Sequence, residues 1–151
     1  MKIFPTRMII FLAAVLTLGA GCSESTTPPE PAECSSVADP NLPATVSYQN
    51  NIVPLLNSKY GCTAIGCHGS TLPGSQYSLA SYSSLFDSGP QASDRGMCSV
   101  RGGAPEESYL IWKIEGRSGI LGDRMPDNAS PMTAEDIATL RQWTLEGARN
   151  N

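Results

Sequence analysis

The chain has 151 residues, which is enough for one ordinary domain together with a targeting segment. Lys2 and Arg7 are the charged residues of the first 21 positions, and the eight bases and 14 acids that follow them give a net charge of −6. Because such an acidic surface repels phosphate groups, it argues against nucleic acid and anionic lipid headgroups as partners.

Residues 1–21 have the pattern of a bacterial export signal. Two basic residues precede an apolar run from Met8 to Leu18, and small residues follow it. The run is too short to cross a membrane as a stable helix. The segment ends at Cys22 in a sequence that resembles a lipobox, although the leucine stands four residues before the cysteine and not the usual three. We therefore predict a lipoprotein signal peptide with lipidation of Cys22; the alternative is simple secretion after cleavage near Ala20.

Residues 22–46 are rich in Ser, Thr, Pro and Glu and show no apolar periodicity. This composition predicts an extended, solvated tether between the lipid anchor and a folded domain that spans residues 47–151. Several acyl chains on one cysteine would hold the protein on the membrane far more firmly than a single myristoyl chain. Within the tether, Cys34 is the one residue whose chemistry calls for a partner.

The folded domain is predicted to begin with a helix that leads to Cys62. Asn50 or Asn51 can cap the start of this helix. Pro54 is tolerated in its first turn because the early backbone N–H groups have no acceptors within a helix. The apolar residues that follow share one helix face: Ile52, Leu55, Leu56 and Tyr60. The pattern therefore indicates an amphipathic helix that packs on a core just before the cysteine.

Cys62 and Cys67, with His68 directly behind the second cysteine, form the pattern of covalent c-type haem attachment. The thiols would add to the two haem vinyl groups, and the imidazole would become the proximal iron ligand. Four residues separate the cysteines where two are usual, so the backbone has to bulge, and Gly61 and Gly66 provide freedom for that bulge. His68 is the only histidine in the chain. The alternative is a short disulfide loop beside a coincidental histidine.

Three further helices are predicted after the motif, with long loops between them. Residues 78–86 allow a short helix, residues 87–104 form a glycine-rich loop, and residues 105–116 form a helix with proline at its start. A second loop, residues 117–132, precedes a last helix that starts with a capping-box-like sequence at Thr133. No segment of any length has the alternating pattern of a strand. The sequence predicts an all-α fold with long glycine-rich loops.

A haem iron with six ligands needs a second axial ligand opposite the histidine, and a methionine thioether has that role in electron-transfer cytochromes. Met97, Met125 and Met132 remain once the signal peptide is removed. Met125 lies in a loop beside a proline, which restricts its backbone and can hold the sulfur at a fixed depth. Met132 immediately precedes a helix start and fits a hydrophobic staple, whereas Met97 adjoins Cys98. Met125 is therefore the predicted distal ligand.

From about Val46 to Ala148 the chain resembles the class I-type cytochrome c domains known as planctomycete-type cytochrome c. Five sequence elements carry the resemblance, in the order that the family has them: Ile52-Val53-Pro54-Leu55-Leu56, Cys67-His68-Gly69, Pro105-Glu106-Glu107-Ser108-Tyr109-Leu110, Met125-Pro126 and Trp143-Thr144-Leu145-Glu146-Gly147-Ala148. The resemblance implies a small fold of helices packed around one covalently bound haem c. It also implies that His68 and Met125 ligate the iron. The family has two residues between its cysteines, where this chain has four between Cys62 and Cys67.

Four side chains could donate hydrogen bonds to the propionate groups of a bound haem: Arg101, Tyr109, Trp112 and Arg124. Such bonds are a common way for a protein to orient a cofactor and to tune its potential. Each of these residues is equally well explained as ordinary surface or core.

Cys34 and Cys98 remain after the other three cysteines have been assigned. Because an exported protein folds in an oxidising compartment, we expect a disulfide between them. This bond would join the base of the tether to the glycine-rich loop. The alternative is that the two thiols are free or separately paired.

These observations lead to the expectation of a membrane-anchored electron carrier with one haem, on the periplasmic side of a bacterial cell envelope. Its partners would be redox proteins that present a basic patch or dock through apolar contact. The protein is not expected to be an enzyme, because the sequence has no second histidine and no Ser/His/Asp or carboxylate constellation. The alternatives are a five-coordinate haem sensor or accessory domain, and a haem-free, disulfide-bonded lipoprotein that binds a protein partner.

Overall fold

The regular structure of the chain is helical. A computed structural model describes residues 33–37, 39, 41–69, 76–127 and 129–151. Within these ranges the chain forms helices and no strand, and Cys98 and Ser108 make an isolated β-bridge. The all-α class predicted from the sequence is thus confirmed for the described residues. The predicted signal peptide, the lipidation site Cys22 and the first part of the predicted tether lie outside them.

Two short helical segments, Tyr48–Ile52 and Leu55–Lys59, precede the motif that runs from Cys62 to His68. Both have wide π-type turns, in which a backbone N–H bonds to the carbonyl five residues earlier. The start is capped by Ser47, and neither Asn50 nor Asn51 has the capping position that the sequence analysis expected. The Ser47 hydroxyl accepts from Asn50 N at 3.1 Å, while Asn51 Oδ1 accepts from Ser47 N at 2.8 Å. This reciprocal pair moves the cap several residues earlier.

The glycine-rich region contains more helix than was expected. Ser83–Phe86 forms a 3₁₀ turn inside the predicted short helix. Helix α1 (Pro90–Asp94) lies in the segment that the sequence analysis described as loop, and it begins with a proline at its first position. The part of the loop that follows α1 leads to the β-bridge at Cys98.

The last two predicted helices are present, with one interruption. The first consists of a 3₁₀ turn, Pro105–Glu107, and helix α2 (Tyr109–Glu115), separated by the extended residue Ser108. Helix α2 ends at Gly116, as expected. Helix α3 (Ala134–Leu145) starts at Thr133, whose side chain accepts a hydrogen bond from the N–H of Asp136, also as expected.

The hydrophobic core lies where α2, α3 and the segment Tyr48–Ile52 meet. The Tyr48 ring stacks on Trp143 with 5.7 Å between ring centroids and meets Tyr82 edge-on at 5.1 Å. The largest fully buried side chains include Ile52, Leu85, Val100, Ile111, Ile114, Leu140 and Trp143. None of the helices in the described ranges combines the length and the apolar character needed to cross a bilayer.

Residues 33–37, which we call the strap, are bound to the helical part of the chain. A disulfide joins Cys34 to Cys98, as predicted, with 5.3 Å between the Cα atoms. The N–H of Val37 donates to Gly147 O at 2.9 Å. Gly147 has a φ of +99°, and a Cβ on it would lie 2.2 Å from the Val37 carbonyl oxygen, so only glycine allows this approach.

Loss of the disulfide is expected to lower the free energy of unfolding by about 4 kcal/mol, because a bridge across 64 residues restricts the unfolded chain. The measurement is urea unfolding of the full-length chain and of its Cys34→Ser/Cys98→Ser double variant, followed by tryptophan fluorescence. As a control, a reducing agent should destabilise the wild type by the same amount and leave the variant unchanged. Equal stability of the two proteins would contradict the expectation.

Candidate functional site

The segment from Cys62 to His68 forms a closed backbone loop that carries the motif residues. The N–H of His68 donates to the carbonyl oxygen of Cys62 at 2.9 Å, so the two ends of the motif are adjacent in spite of the four-residue spacer. Ala64 N donates to Gly61 O at 3.0 Å and forms a turn inside the loop. Gly61 and Gly66 have φ values of +60° and +84°, which residues with a side chain rarely adopt. The bulge predicted at these glycines is therefore present.

The imidazole of His68 is oriented by a backbone carbonyl. Its Nδ1 lies 2.9 Å from the carbonyl oxygen of Tyr77. Because a carbonyl oxygen can only accept, Nδ1 must carry the proton of this bond. In the neutral ring the lone pair then belongs to Nε2, the nitrogen that would bind a metal ion. The N–H of Leu79 donates to His68 O at 2.7 Å and holds the same stretch of backbone in place.

The two motif cysteines differ in their exposure. Cys67 is exposed, whereas Cys62 is half-buried, and burial together with the neighbouring Cys67 raises the pKa of the Cys62 thiol to about 11. Cys62 is a thiol in this structure, so the short disulfide loop considered as an alternative is not formed. Ile65, in the spacer, is 93% exposed.

A cavity of about 760 Å³ opens beside the motif loop. Sites that bind small molecules and cofactors usually have volumes of roughly 300–1,000 Å³. The four residues predicted to hold a haem all line this cavity: Cys62, Cys67, His68 and Met125. Much of the remaining wall is apolar, with contributions from Leu56, Leu79, Leu110, Ile114 and Met132. The fold thus brings the motif and a distant loop to one site.

Two of the three candidate methionines, Met125 and Met132, lie on the cavity wall, and Met97 is not among the described residues that line it. Met132 is only 5% exposed and belongs to the hydrophobic core. Met125 is half-buried and packs against the edge of that core. Its N–H donates to Lys113 O at 3.0 Å, and a cis peptide bond joins it to Pro126. The backbone of Met125 is therefore held by α2.

The cavity wall also holds polar residues that the sequence analysis did not bring forward. Gln91, Lys113, Asp123 and Asp127 line it. Burial lowers the pKa of Lys113, and the charges of Asp123 and Asp127 oppose that shift. The signal for Lys113 was present in the sequence, because it is the one charged residue in the otherwise apolar first six residues of α2. Gln91 gave no such signal, since α1 was not predicted.

All four side chains suggested as propionate donors make other contacts, and among the described residues only Tyr109 of the four lines the cavity. The Tyr109 hydroxyl accepts from the N–H of Leu121 at 2.7 Å. Arg101 forms an ion pair with Glu107. Arg124 Nε donates to the carbonyl oxygen of Ile114 at 2.9 Å, and Trp112 Nε1 donates to that of Glu106 at 2.8 Å. These partners stand at no fixed spacing along the chain from the side chains that bond to them. The type of each residue alone could therefore not identify them.

Asp136, in the first turn of α3, holds the segment that precedes the motif. Its carboxylate accepts from Lys59 Nζ at 2.8 Å, from the Tyr60 hydroxyl, and from Thr133 Oγ1 at 2.7 Å. The bond from Lys59 is the largest cause of a pKa lowered to about 2, and the bonds from Tyr60 and Thr133 follow. Since Tyr60 lines the cavity, this cluster connects α3 to the cavity wall.

No family model, no curated protein and no solved structure matches the chain significantly. The chemistry of the site therefore has to be judged from its own residues.

The residues that line the cavity fit a covalently attached haem. The His68 ring is held so that its lone pair is on Nε2, and two cysteines flank the same loop. A thioether from Met125 and several aliphatic side chains complete a largely apolar wall. This combination of one imidazole, one thioether and two thiols is the ligand and attachment set of c-type cytochromes.

Asp136→Asn is expected to lower the free energy of unfolding at pH 7 by about 1–3 kcal/mol, because three donors would lose a charged acceptor. The pKa of Asp136 is lowered in the folded protein, so its contribution is present above about pH 4 and is lost as the pH falls toward 2. Urea unfolding at several pH values between 2 and 7 tests this. The exposed Asp94→Asn variant is the control and should change little; equal behaviour of the two variants would contradict the role assigned to Asp136.

Proposed function

We propose that this protein is an electron carrier that holds one covalently bound haem c and passes single electrons between redox proteins. The observation that carries the proposal is that Cys62, Cys67, His68 and Met125 line a single cavity. Three of these residues, Cys62, Cys67 and His68, come from one short loop, and Met125 comes from the loop between α2 and α3. Met125 is distant from the motif in sequence, and the fold brings it to the same cavity as the motif residues.

In this proposal the helices surround the haem as in the cytochrome c domains that the sequence resembles. When bound, the haem supplies one-electron chemistry, with its iron alternating between the ferrous and ferric states. Cys62 and Cys67 would hold the group by thioether bonds, and His68 would bind the iron through Nε2. The bond between His68 Nδ1 and Tyr77 O keeps the ring in that orientation.

Met125 is proposed as the residue that would bind the iron together with His68. Its backbone is bonded to α2, and its sulfur is a soft ligand that favours ferrous over ferric iron. Together, His68 and Met125 would give the iron the histidine and methionine ligands that electron-transfer cytochromes c have. For this reason we propose electron transfer and not catalysis or gas sensing.

The N-terminal sequence is the basis for a proposal about the cellular location of the protein. We propose that Cys22 carries a lipid that anchors the chain at the periplasmic side of a bacterial cell envelope. The net charge of −6 beyond the signal peptide favours redox partners with a basic surface.

Covalent attachment of haem is expected when the chain is produced with a c-type maturation system. Haem staining after denaturing electrophoresis should show colour on the protein, and acid–acetone should not extract it. Cys67→Ala should abolish the holoprotein, whereas Cys62→Ala should leave a poorly matured form with one thioether bond. The Cys34→Ser/Cys98→Ser variant is the control for a general effect of cysteine loss and should remain stained. Complete extraction of the colour would eliminate covalent attachment and favour a haem-free or loosely bound state.

Met125→Ala is expected to lose the weak sulfur-to-iron charge-transfer band of the ferric protein, to lower its midpoint potential and to bind carbon monoxide or cyanide readily. Met132→Ala is the matched control; it should keep the band and lose roughly 2–5 kcal/mol of stability, because a core side chain is truncated. Visible spectra and a redox titration measure both effects. If Met132→Ala lost the band and Met125→Ala kept it, the ligand would be Met132. A wild type that lacks the band and binds carbon monoxide at once would be a five-coordinate sensor.

A further inference from the structure

Lys113 is a buried cation in helix α2. It is 6% exposed and lies in α2 between Trp112 and Ile114. Removing an ammonium group from water is costly unless the charge is paired and hydrogen-bonded. A lysine buried to this degree therefore indicates that something compensates its charge.

The partners of Lys113 are both neutral. Nζ donates to Gln91 Oε1 at 3.2 Å and to the carbonyl oxygen of Leu121 at 2.8 Å. An ammonium group has three N–H donors, so these two bonds leave one donor for another acceptor. No carboxylate in the described part of the chain forms an ion pair with Nζ, although Asp123 and Asp127 are near enough to act on its charge.

The ammonium group of Lys113 lies next to residues that line the cavity. Lys113, Gln91 and Gly122 all line it, and a Cβ on Gly122 would lie 3.8 Å from Nζ. Among the described residues of the wall, Lys113 is the only lysine or arginine. The arginines that could have shared this role bond elsewhere: Arg101, Arg117 and Arg141 to carboxylates, and Arg124 to a backbone carbonyl.

We propose that Lys113 is the carboxylate-binding residue of this cavity and that it anchors a propionate group of the haem. The inference rests on the proposed function for the identity of the ligand. A ligand carboxylate would form the direct ion pair that Gln91 and Leu121 cannot form and that Asp123 and Asp127 do not form, and it would accept the third N–H of the ammonium group. A fatty acid also combines an apolar body with one carboxylate, so the experiment has to distinguish the two sources.

The test measures binding of zinc protoporphyrin IX and of its dimethyl ester to the full-length chain produced without haem maturation. Fluorescence titration gives both dissociation constants. We expect the free acid to bind about ten- to a hundredfold more tightly than the ester, because a hydrogen bond to a charged group is worth about 1.5–3 kcal/mol. In Lys113→Met this preference should disappear. The comparison of acid and ester on the wild type needs no variant, so a folding defect in Lys113→Met cannot decide the result.

Arg95→Met is the matched control, because it removes one positive charge from an exposed site at the end of α1. This variant should keep the preference for the free acid. Oleate is the probe for the second source of carboxylate, and its binding is measured by displacement of a fluorescent fatty acid.

The outcomes separate the two proposals. If the porphyrin and its ester bind equally well to the wild type, Lys113 does not bind the propionate, while the proposed function stands. If oleate binds in a Lys113-dependent way and the porphyrin does not bind, the carboxylate is that of a fatty acid and the haem proposal fails. If neither ligand binds, the role of Lys113 is overturned, and haem staining of the matured protein decides the proposed function independently.

Discussion

The backbone hydrogen bond from His68 N–H to Cys62 O is the interaction on which the site depends. It closes a loop with a spacer two residues longer than usual, and so it brings the imidazole and the two thiols to one wall of the cavity. The loop can close because Gly61 and Gly66 adopt positive φ values that other residues rarely take. The carbonyl of Tyr77 then orients the ring, so that geometry and proton position are both set before any ligand binds.

The rest of the fold holds that loop against two helices. Asp136 at the start of α3 bonds to Lys59 and Tyr60, immediately before the loop. On the other side, α2 supplies Lys113, whose carbonyl oxygen holds Met125. The site is therefore assembled from loops, and their positions are set by the hydrophobic contact of α2, α3 and the segment Tyr48–Ile52.

Features that depend on local chemistry were predictable from sequence. The cap at Thr133, the end of α2 at Gly116 and the bulge at the motif glycines each follow from residues within a few positions of one another. The cap at Ser47 was missed because either of two nearby asparagines satisfied the same pattern. Helix α1 was missed because it is only five residues long and lies in a segment rich in glycine and serine.

The sequence by itself determined the chemistry of the candidate site: one histidine behind two cysteines and a methionine beside a proline, with Cys34 and Cys98 left to form a disulfide. These are covalent properties of residue types and short spacings, so they can be read without a fold. Only the tertiary structure decided that Met125 and Met132 share the cavity with the motif, and that Lys113 and not Arg124 supplies its positive charge. Such choices depend on contacts between segments distant in sequence, and packing of the whole core selects them.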